Sequence, residues 1–229
     1  MGLSEGHAGS WGRQAITMGE AASFAAKVRA SPRERDAVAQ TLYDFPLECE
    51  VRGMFFVGLV NAVASVAGQP ETQRITALAE VPSSVLPFTL HPHRDFYKLF
   101  FLASPLLHPH AELSDAMRSV AETFYPVFRA SPLGRTMSLL MGSSPRRVLE
   151  RLADAYNISV AWNSHVCEAR GEREVRWTCL VEPTDFYEHV FTGIVCGTLR
   201  SHEAPVPTVE LMERRRDGAG QHMVFSIRW

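Results

Sequence analysis

The stretch from residue 174 to residue 200 reads EVRWTCLVEPTDFYEHVFTGIVCGTLR, and it decides the fold class because its hydrophobic period changes halfway along. Apolar residues first alternate, at Val175, Trp177 and Cys179, which is typical of a strand with one buried face. Over residues 184–199 they recur at helical spacing. The stretch therefore predicts a strand followed by a helix, and the predicted buried stripe of that helix is Phe186, Val190, Ile194 and Val195.

The segment before this strand is predicted to pair with it as a hairpin. Ile158, Val160 and Trp162 alternate with other residues, so they indicate a second strand. A two-residue turn at Arg170-Gly171 would align three cross-strand pairs and keep the apolar residues on one face. The predicted pairs are Trp162 with Cys179, Ser164 with Trp177 and Val166 with Val175.

A second hairpin is predicted after the helix, around a turn at Asp217-Gly218-Ala219. Its predicted pairs are Val209 with Ile227 and Leu211 with Phe225. Trp177 and Phe225 are accordingly expected on the buried face of the sheet. Residues 157–229 thus predict an antiparallel sheet built in the order strand, strand, helix, strand, strand.

The N-terminal part of the chain is predicted to be helical. Ser-Pro pairs supply a helix cap and a first-turn proline at Ser31-Pro32, Ser131-Pro132 and Ser144-Pro145. Three prolines between residues 81 and 92 instead predict a loop or a short extended piece. Helices are predicted from about residue 16 and over about 32–42, 50–67, 94–103, 111–125, 132–141 and 145–156.

These elements predict an α+β fold in which an N-terminal helical layer packs on a C-terminal antiparallel sheet. Residues 1–12 are rich in Gly and Ser and are interpreted as a flexible tail. The helical part is predicted over about 13–156 and the sheet part over about 157–229. Because 46% of the 229 residues are hydrophobic and 21% are charged, one core shared by residues 13–229 is the simplest prediction.

Charge and signal patterns argue against several partners and locations. The net charge of -2 and the pI near 6.5 provide no positive field for nucleic acid. The longest apolar stretches, residues 57–68 and 99–107, are shorter than a bilayer span, so no membrane partner is predicted. The N-terminal sequence shows no export or lipidation signal, and the four cysteines form no C-x-x-C pair. A cytoplasmic protein with reduced thiols is expected.

Three blocks of the sequence resemble a large paralogous family of unknown function found mainly in myxobacteria. They are VRGMFF at residues 51–56, FYPVFRASPLGR at residues 124–135, and residues 187–199. The family is more distantly similar to the haem-nitric-oxide-binding, four-vinyl-reductase and TRAPP-type domains, which combine helices with an antiparallel sheet. Members of that wider group bind haem, fatty acyl chains, small aromatic molecules or partner proteins. The resemblance, which covers about residues 35–229, therefore implies a binding or sensing module.

A duplicated His-Pro-His is the most conspicuous candidate for metal binding, because paired imidazoles can ligate zinc. The two copies are His91-Pro92-His93 and His108-Pro109-His110. A helix over residues 94–103 would hold them roughly 15 Å or more apart, so they cannot share one ion. Loop histidines that flank a helix are therefore the favoured interpretation, and no metal ligand is predicted.

The resemblance raises the question of whether this chain binds haem. The haem-binding relatives are expected to use an axial histidine and a Tyr-x-Ser-x-Arg motif. The nearest match, Tyr125-Pro126-Val127-Phe128-Arg129, lacks the serine and contains a proline. Catalytic and nucleotide motifs such as G-x-S-x-G, G-x-x-x-x-G-K-[ST] and H-E-x-x-H are absent from the sequence. No cofactor is predicted, and an enzyme is not indicated.

The sequence favours a non-enzymatic binding or signalling module that senses a small apolar ligand or mediates protein–protein interaction. The candidate ligand-binding residues are Arg52, Tyr97, Tyr125, Arg129 and Arg135. For the arginines, anchoring of loops through carbonyl hydrogen bonds is the alternative role. A haem- or metal-binding sensor or enzyme is the alternative function. A homodimer is also expected, because the predicted helices carry more apolar stripes than one sheet face can cover.

Overall fold

A computed structural model describes residues 15–82, 84–130, 144–202, 204 and 206–229 of the chain. The predicted α+β class and the C-terminal antiparallel sheet are confirmed. The tail over 1–12 and the helix over 132–141 lie outside the described residues, and these two predictions stay predictions, as does the single domain over 13–229. Within the described part of the chain, no helix is long and apolar enough to cross a membrane.

The helices account for most of the chain before residue 160. They are α1 (Met18–Ala25), α2 (Pro32–Asp44), α3 (Met54–Leu78), α4 (His93–Leu107), α5 (Leu113–Glu122), α6 (Phe124–Ala130), α7 (Pro145–Ser159) and α8 (Tyr187–Arg200). Capping boxes fix the first two starts, with Thr17 paired to Glu20 and Ser31 paired to Glu34. The Ser-Pro pairs predicted to open α2 and α7 do stand at those two starts.

The chain contains a small three-stranded sheet, and residues 50–52, where the predicted helix over 50–67 was to begin, form one of its strands. β1 (Glu50–Arg52) lies between β2 (Leu90–Pro92) and β3 (Val160–Ala161), and both pairings are antiparallel. The helix prediction was wrong for these residues because Val51 pairs with two distant strands, which local periodicity does not register. β2 confirms the short extended piece predicted among the prolines.

α3 is longer than predicted and is kinked near its middle. Gly68 has φ 78° and ψ 173°, a left-handed conformation that favours glycine, and Pro70 stands just beyond it. The predicted end at residue 67 therefore marks this kink, and helical structure continues to Leu78.

The large sheet contains β4 (Ser164–Gly171), β5 (Glu174–Val181), β6 (Thr208–Asp217) and β7 (Gly220–Arg228). Its order is β4-β5-β7-β6, and all neighbouring strands are antiparallel. Since α8 lies between β5 and β6 in sequence, the predicted order of strand, strand, helix, strand, strand is confirmed. The second hairpin has the two predicted pairs, Val209 opposite Ile227 and Leu211 opposite Phe225, but its turn is at residues 218–219, and a bulge between Leu211 and Glu213 shifts the register by one residue on the turn side.

The first hairpin has a different register from the predicted one. Its pairs include His165 with Cys179 and Cys167 with Trp177, and its turn falls at residues 172–173. The alternating set was misleading because Ile158 belongs to α7 and is 66% exposed there. Asn157 fixes the start of β4 instead: its side chain accepts a hydrogen bond from the His165 amide and donates one to the His165 carbonyl oxygen.

α8 lies between two hydrophobic cores. It contributes Val190 and Ile194 to the core among the helices, and Phe191 and Val195 to the core against the large sheet. These positions confirm the predicted buried stripe. The helix also approaches α5 closely at Gly193, where a side chain would collide with a carbonyl oxygen of α5.

The sheet core is closed around large aromatic side chains. Trp177 and Phe225 are both fully buried there, as predicted, and Phe191 of α8 packs against each of them. The four cysteines, at positions 49, 167, 179 and 196, are free thiols in the structure.

Candidate functional site

A cavity of about 640 Å³ opens where α3, α6, α7 and α8 meet. Its walls are mainly apolar and aromatic, including Phe55, Phe124, Val148, Leu152, Ile158 and Ile194. This volume is within the range of small-molecule sites, which typically span about 300–1,000 Å³ and are lined mostly by hydrophobic side chains. The cavity can therefore accept an apolar molecule of moderate size.

The charged groups at this cavity are few and already paired. Tyr125 lies in the wall, and its hydroxyl is hydrogen-bonded to His202 Nε2 at 2.8 Å. Arg151 and Asp154 lie at the exposed side, where their charged groups pair at 3.2 Å. Burial, and secondarily the charge of Arg129, lowers the pKa of His202. The cavity wall consequently offers no unpaired charge among its described residues.

The predicted site residues do not converge on one place. Tyr125 lines the cavity, whereas Tyr97 lies in a separate buried cluster. Arg52 donates to the Phe88 carbonyl oxygen at 2.7 Å, and Arg129 donates to the Ser201 carbonyl oxygen at the end of α8. Both arginines thus make the loop-anchoring contacts that were the alternative interpretation.

Arg135 belongs to a segment outside the described residues, so its predicted role stays a prediction. Among the remaining four candidates, only Tyr125 and Arg129 are close enough for the arginine charge to influence the pKa of the tyrosine. The set that the sequence proposed is therefore divided between one cavity residue, one cluster residue and two backbone anchors.

The described wall of the cavity does not fit haem. Haem iron is held in proteins by His, Cys, Tyr or a Met that accompanies His, and the wall offers only Met54, Tyr125 and Tyr156. Burial raises the pKa of both tyrosines, so the phenolate that would bind iron is disfavoured. The sequence of residues 131–143 contains neither His nor Cys. Arg129, from the partial haem motif, is occupied by a backbone carbonyl.

A second feature is a buried polar cluster formed by Cys49, Tyr97, His93, Asn163 and Glu182. Cys49 Sγ lies 3.3 Å from His93 Nδ1, and His93 Nδ1 lies 4.0 Å from a Glu182 carboxylate oxygen. Tyr97 donates to one carboxylate oxygen at 2.8 Å, and the Asn163 amide donates to the other at 2.9 Å. Every member except Asn163 is buried.

Burial sets the protonation of this cluster. It raises the pKa of the Cys49 thiol, and the negative charge of Glu182 raises it further. Burial lowers the pKa of His93, which the charge of Glu182 opposes only in part. The pKa of Tyr97 is raised well above its ordinary value by the same two causes, burial first. The thiol, the imidazole and the phenol are therefore neutral at neutral pH.

No sequence pattern indicated this cluster, and the prediction that His93 is a loop histidine was wrong, because His93 is buried at the start of α4. Cys49 and His93 are 44 positions apart and share no motif. The available signal was the extended piece around Pro92: if it pairs with residues near 50, Cys49 and His93 become neighbours. The helix predicted from residue 50 hid that pairing.

A family model described as a protein of unknown function (DUF2378) matches residues 47–229 of the chain. No curated protein matches the chain at a significant level.

Solved structures show the same fold at low sequence identity. One, from work on modulating haem redox potential through protein-induced porphyrin distortion, has a TM-score of 0.61 and 11% identity, and the match covers 78% of this chain and 99% of that one. The Fe(II) unliganded H-NOX protein from K. algicida has a TM-score of 0.56, 15% identity, and coverages of 78% and 97%. A variant of T. tengcongensis H-NOX has a TM-score of 0.53, 12% identity, and coverages of 77% and 96%. The chain therefore has an H-NOX-like fold.

Proposed function

The chain belongs to the DUF2378 family of proteins of unknown function, and we propose that it is a non-enzymatic sensing module that binds a small, neutral, apolar molecule in the cavity between α3, α6, α7 and α8. One observation carries this proposal: a cavity of about 640 Å³ is lined by mainly apolar side chains. Moving apolar surface from water into such a space is favourable by about 25 cal/mol per Å². Burial of the apolar surface of the ligand therefore favours binding in this cavity.

The fold neighbours support a ligand-binding role without identifying the ligand. The H-NOX proteins are haem proteins, but a fold shared at 11–15% identity does not transfer a cofactor. The described wall lacks an imidazole or thiolate to hold iron. The proposed ligand is for that reason a metal-free organic molecule.

The polar groups of the wall narrow the chemistry of the ligand. Arg151 and Asp154 neutralise each other, and the Tyr125 hydroxyl is engaged with His202. A charged ligand would lose its hydration without gaining a counter-charge. A small aromatic molecule fits the wall better, since its faces and edges can pack on Phe55, Phe124 and Phe128.

Calorimetric titration of the full chain with naphthalene, beside a titration with hemin followed by absorption, tests this proposal. We expect one naphthalene per chain, with a negative heat-capacity change on binding. We expect hemin to give no stoichiometric Soret band. A saturable Soret band at one hemin per chain, or naphthalene heats that never saturate, would contradict the proposal.

Self-association is the further proposal for an interaction role. Leu86 and Phe88 are exposed in the loop that precedes β2, Leu90 is exposed in β2 itself, and Phe88 is 66% exposed. Such a group of apolar side chains favours burial against another surface. Light scattering over a tenfold dilution is expected to show a dimer that Phe88→Asp dissociates. A constant mass near the 25.5 kDa of one chain would contradict it.

A cytoplasmic location also stays a prediction.

A further inference from the structure

Three buried side chains of ligand type converge from distant parts of the chain. Cys49 precedes β1, His93 opens α4, and Glu182 follows β5. The β1–β2 pairing brings the first two together, since the His93 amide donates to the Cys49 carbonyl oxygen at 2.9 Å. Gln221 holds the third, because its side-chain amide donates to the Glu182 carbonyl oxygen at 2.9 Å. These hydrogen bonds therefore hold the main chain of all three residues in place.

Their spacing suits a single metal ion. Cys49 Sγ, His93 Nδ1 and a Glu182 carboxylate oxygen all lie within 4.8 Å of one another. Ligands at about 2.3 Å for sulfur and about 2.0–2.2 Å for nitrogen and oxygen stand roughly 3.3–3.6 Å apart around a tetrahedral ion. The separation of 3.3 Å between sulfur and nitrogen already suits that geometry, and the one of 4.0 Å between nitrogen and oxygen is close to it. The sulfur and the carboxylate oxygen lie within 4.8 Å, so the Glu182 carboxylate has to approach the thiol for all three to bind one ion.

The surroundings of Glu182 resemble the outer shell of a metal ligand. Tyr97 donates to one carboxylate oxygen and Asn163 to the other, so both oxygens are oriented by neutral groups. No Lys or Arg among the described residues pairs with this carboxylate, which is 1% exposed. A buried carboxylate with only neutral donors lacks a compensating charge. A bound cation would supply it.

We propose that Cys49, His93 and Glu182 form a binding site for one Zn²⁺ ion. A sulfur, nitrogen and oxygen donor set selects a borderline cation such as zinc over Ca²⁺ or Mg²⁺, which prefer oxygen alone. Asn163 Oδ1, 3.9 Å from Cys49 Sγ, or a water molecule takes the fourth position. On binding, the Cys49 S–H bond breaks, the sulfur bonds to zinc, and the proton passes to solvent.

The consequence is a metal clamp between the two halves of the fold. Cys49 and His93 belong to the helical part, and Glu182 immediately follows β5, one of the two central strands of the large sheet, and precedes α8. An ion shared among them ties α4 to that strand end. This site is separate from the cavity, since none of its three ligands lines the cavity wall.

The test uses the full chain, purified in reductant, treated with a chelator and then titrated with Zn²⁺ in competition with a chromophoric chelator. We expect one zinc per chain, release of one proton per zinc and a higher Tm. Titration with Co²⁺ is expected to give the visible bands of a tetrahedral site and a single thiolate-to-cobalt charge-transfer band. Failure of the wild-type chain to bind either ion stoichiometrically would overturn the proposal.

Matched variants locate the site. Cys49→Ala is expected to abolish the charge-transfer band, while Cys196→Ala, which removes another buried thiol, is expected to retain it. Tyr97→Phe keeps all three ligands and is expected to weaken zinc binding about 10–100-fold through loss of outer-shell support. Tyr125→Phe, at the cavity, serves as its control. Equal zinc affinity in wild type and Cys49→Ala would overturn the proposal; if Cys49→Ala does not fold, the wild-type cobalt spectrum decides.

Discussion

The two sides of α8 both pack against mainly apolar side chains, but only one of them borders a cavity. Phe191 is fully buried and packs against the rings of Trp177 and Phe225. Ile194, less than one turn later, lines a cavity of about 640 Å³. Both environments are apolar, so residue type does not distinguish them. What distinguishes them is unfilled volume, and the account of function rests on that difference. The same type of substitution is therefore expected to change stability differently in the closed core or the buried cluster than at the cavity wall.

Acid is expected to have the largest effect, through histidine in the closed core. Burial lowers the pKa of His165 to about 3, whereas an unfolded chain titrates near 6.5. Below pH 6.5 His165 therefore binds a proton in the unfolded state, whereas in the folded state it stays neutral until the pH approaches 3. Stability should be full above that pH and fall toward pH 3, by up to about 5 kcal/mol in total.

His165→Gln separates this effect from the cavity side. The glutamine is expected to flatten the loss of stability between pH 6.5 and pH 3 in chemical unfolding. His202→Gln, beside the cavity and only half-buried, should leave the slope nearly unchanged. Equal flattening by both variants would contradict the contrast between the two sides.

Truncation of an aromatic ring should give the next largest difference. Trp177→Ala removes a fully buried ring and is expected to cost about 3–5 kcal/mol. Phe128→Ala removes a half-buried ring that already borders free space, so about 1 kcal/mol or less is expected. Urea unfolding of both variants measures the difference. Similar costs would mean that the cavity is packed in solution.

Enlarging an isoleucine should change stability in opposite directions at the two places. Ile227→Phe adds volume to the closed sheet core and is expected to cost about 1–3 kcal/mol. Ile194→Phe extends into the cavity and should be neutral or stabilising by about 0.5–2 kcal/mol, while it weakens naphthalene binding. Thermal unfolding reports the sign. Destabilisation by Ile194→Phe equal to that of Ile227→Phe would contradict the account.

Removing a tyrosine hydroxyl should give the smallest difference. Tyr97→Phe leaves a buried oxygen of Glu182 without its donor and is expected to cost about 1–3 kcal/mol. Tyr125→Phe loses a hydrogen bond to His202, which is half-buried and can be hydrated instead, so less than about 1 kcal/mol is expected. Urea unfolding in the presence of a chelator measures both without a contribution from zinc.

The sequence predicts a structural feature well when neighbouring residues determine it, and poorly when distant residues do. Two pairs of the second hairpin were predicted because apolar residues alternate on both sides of a turn that Gly218, at φ 57°, supplies, but the bulge between Leu211 and Glu213 was not predicted. The first hairpin was not, because its register is fixed by Asn157 of α7, outside the hairpin. Local patterns therefore gave the order of the elements but not every register.

The sites show the same limit more strongly. Tyr125 was predicted as a ligand residue and does line the cavity, but the cavity itself lies between four helices that are distant from one another in sequence. The polar cluster depends on a pairing between strands of three residues each, which are too short to stand out in a sequence. Unfilled space and long-range pairing are properties of the tertiary structure.

Methyl NMR of the isoleucines tests the central claim most directly. The chain has five, at positions 16, 75, 158, 194 and 227, and only two of them, Ile158 and Ile194, line the cavity. During a naphthalene titration we predict saturable shifts at these two methyl resonances and none at Ile75 and Ile227, which are buried elsewhere. Saturable shifts at Ile75 or Ile227 with Ile194 unmoved, or no saturable shift at all, would contradict the proposal that the cavity is the ligand site.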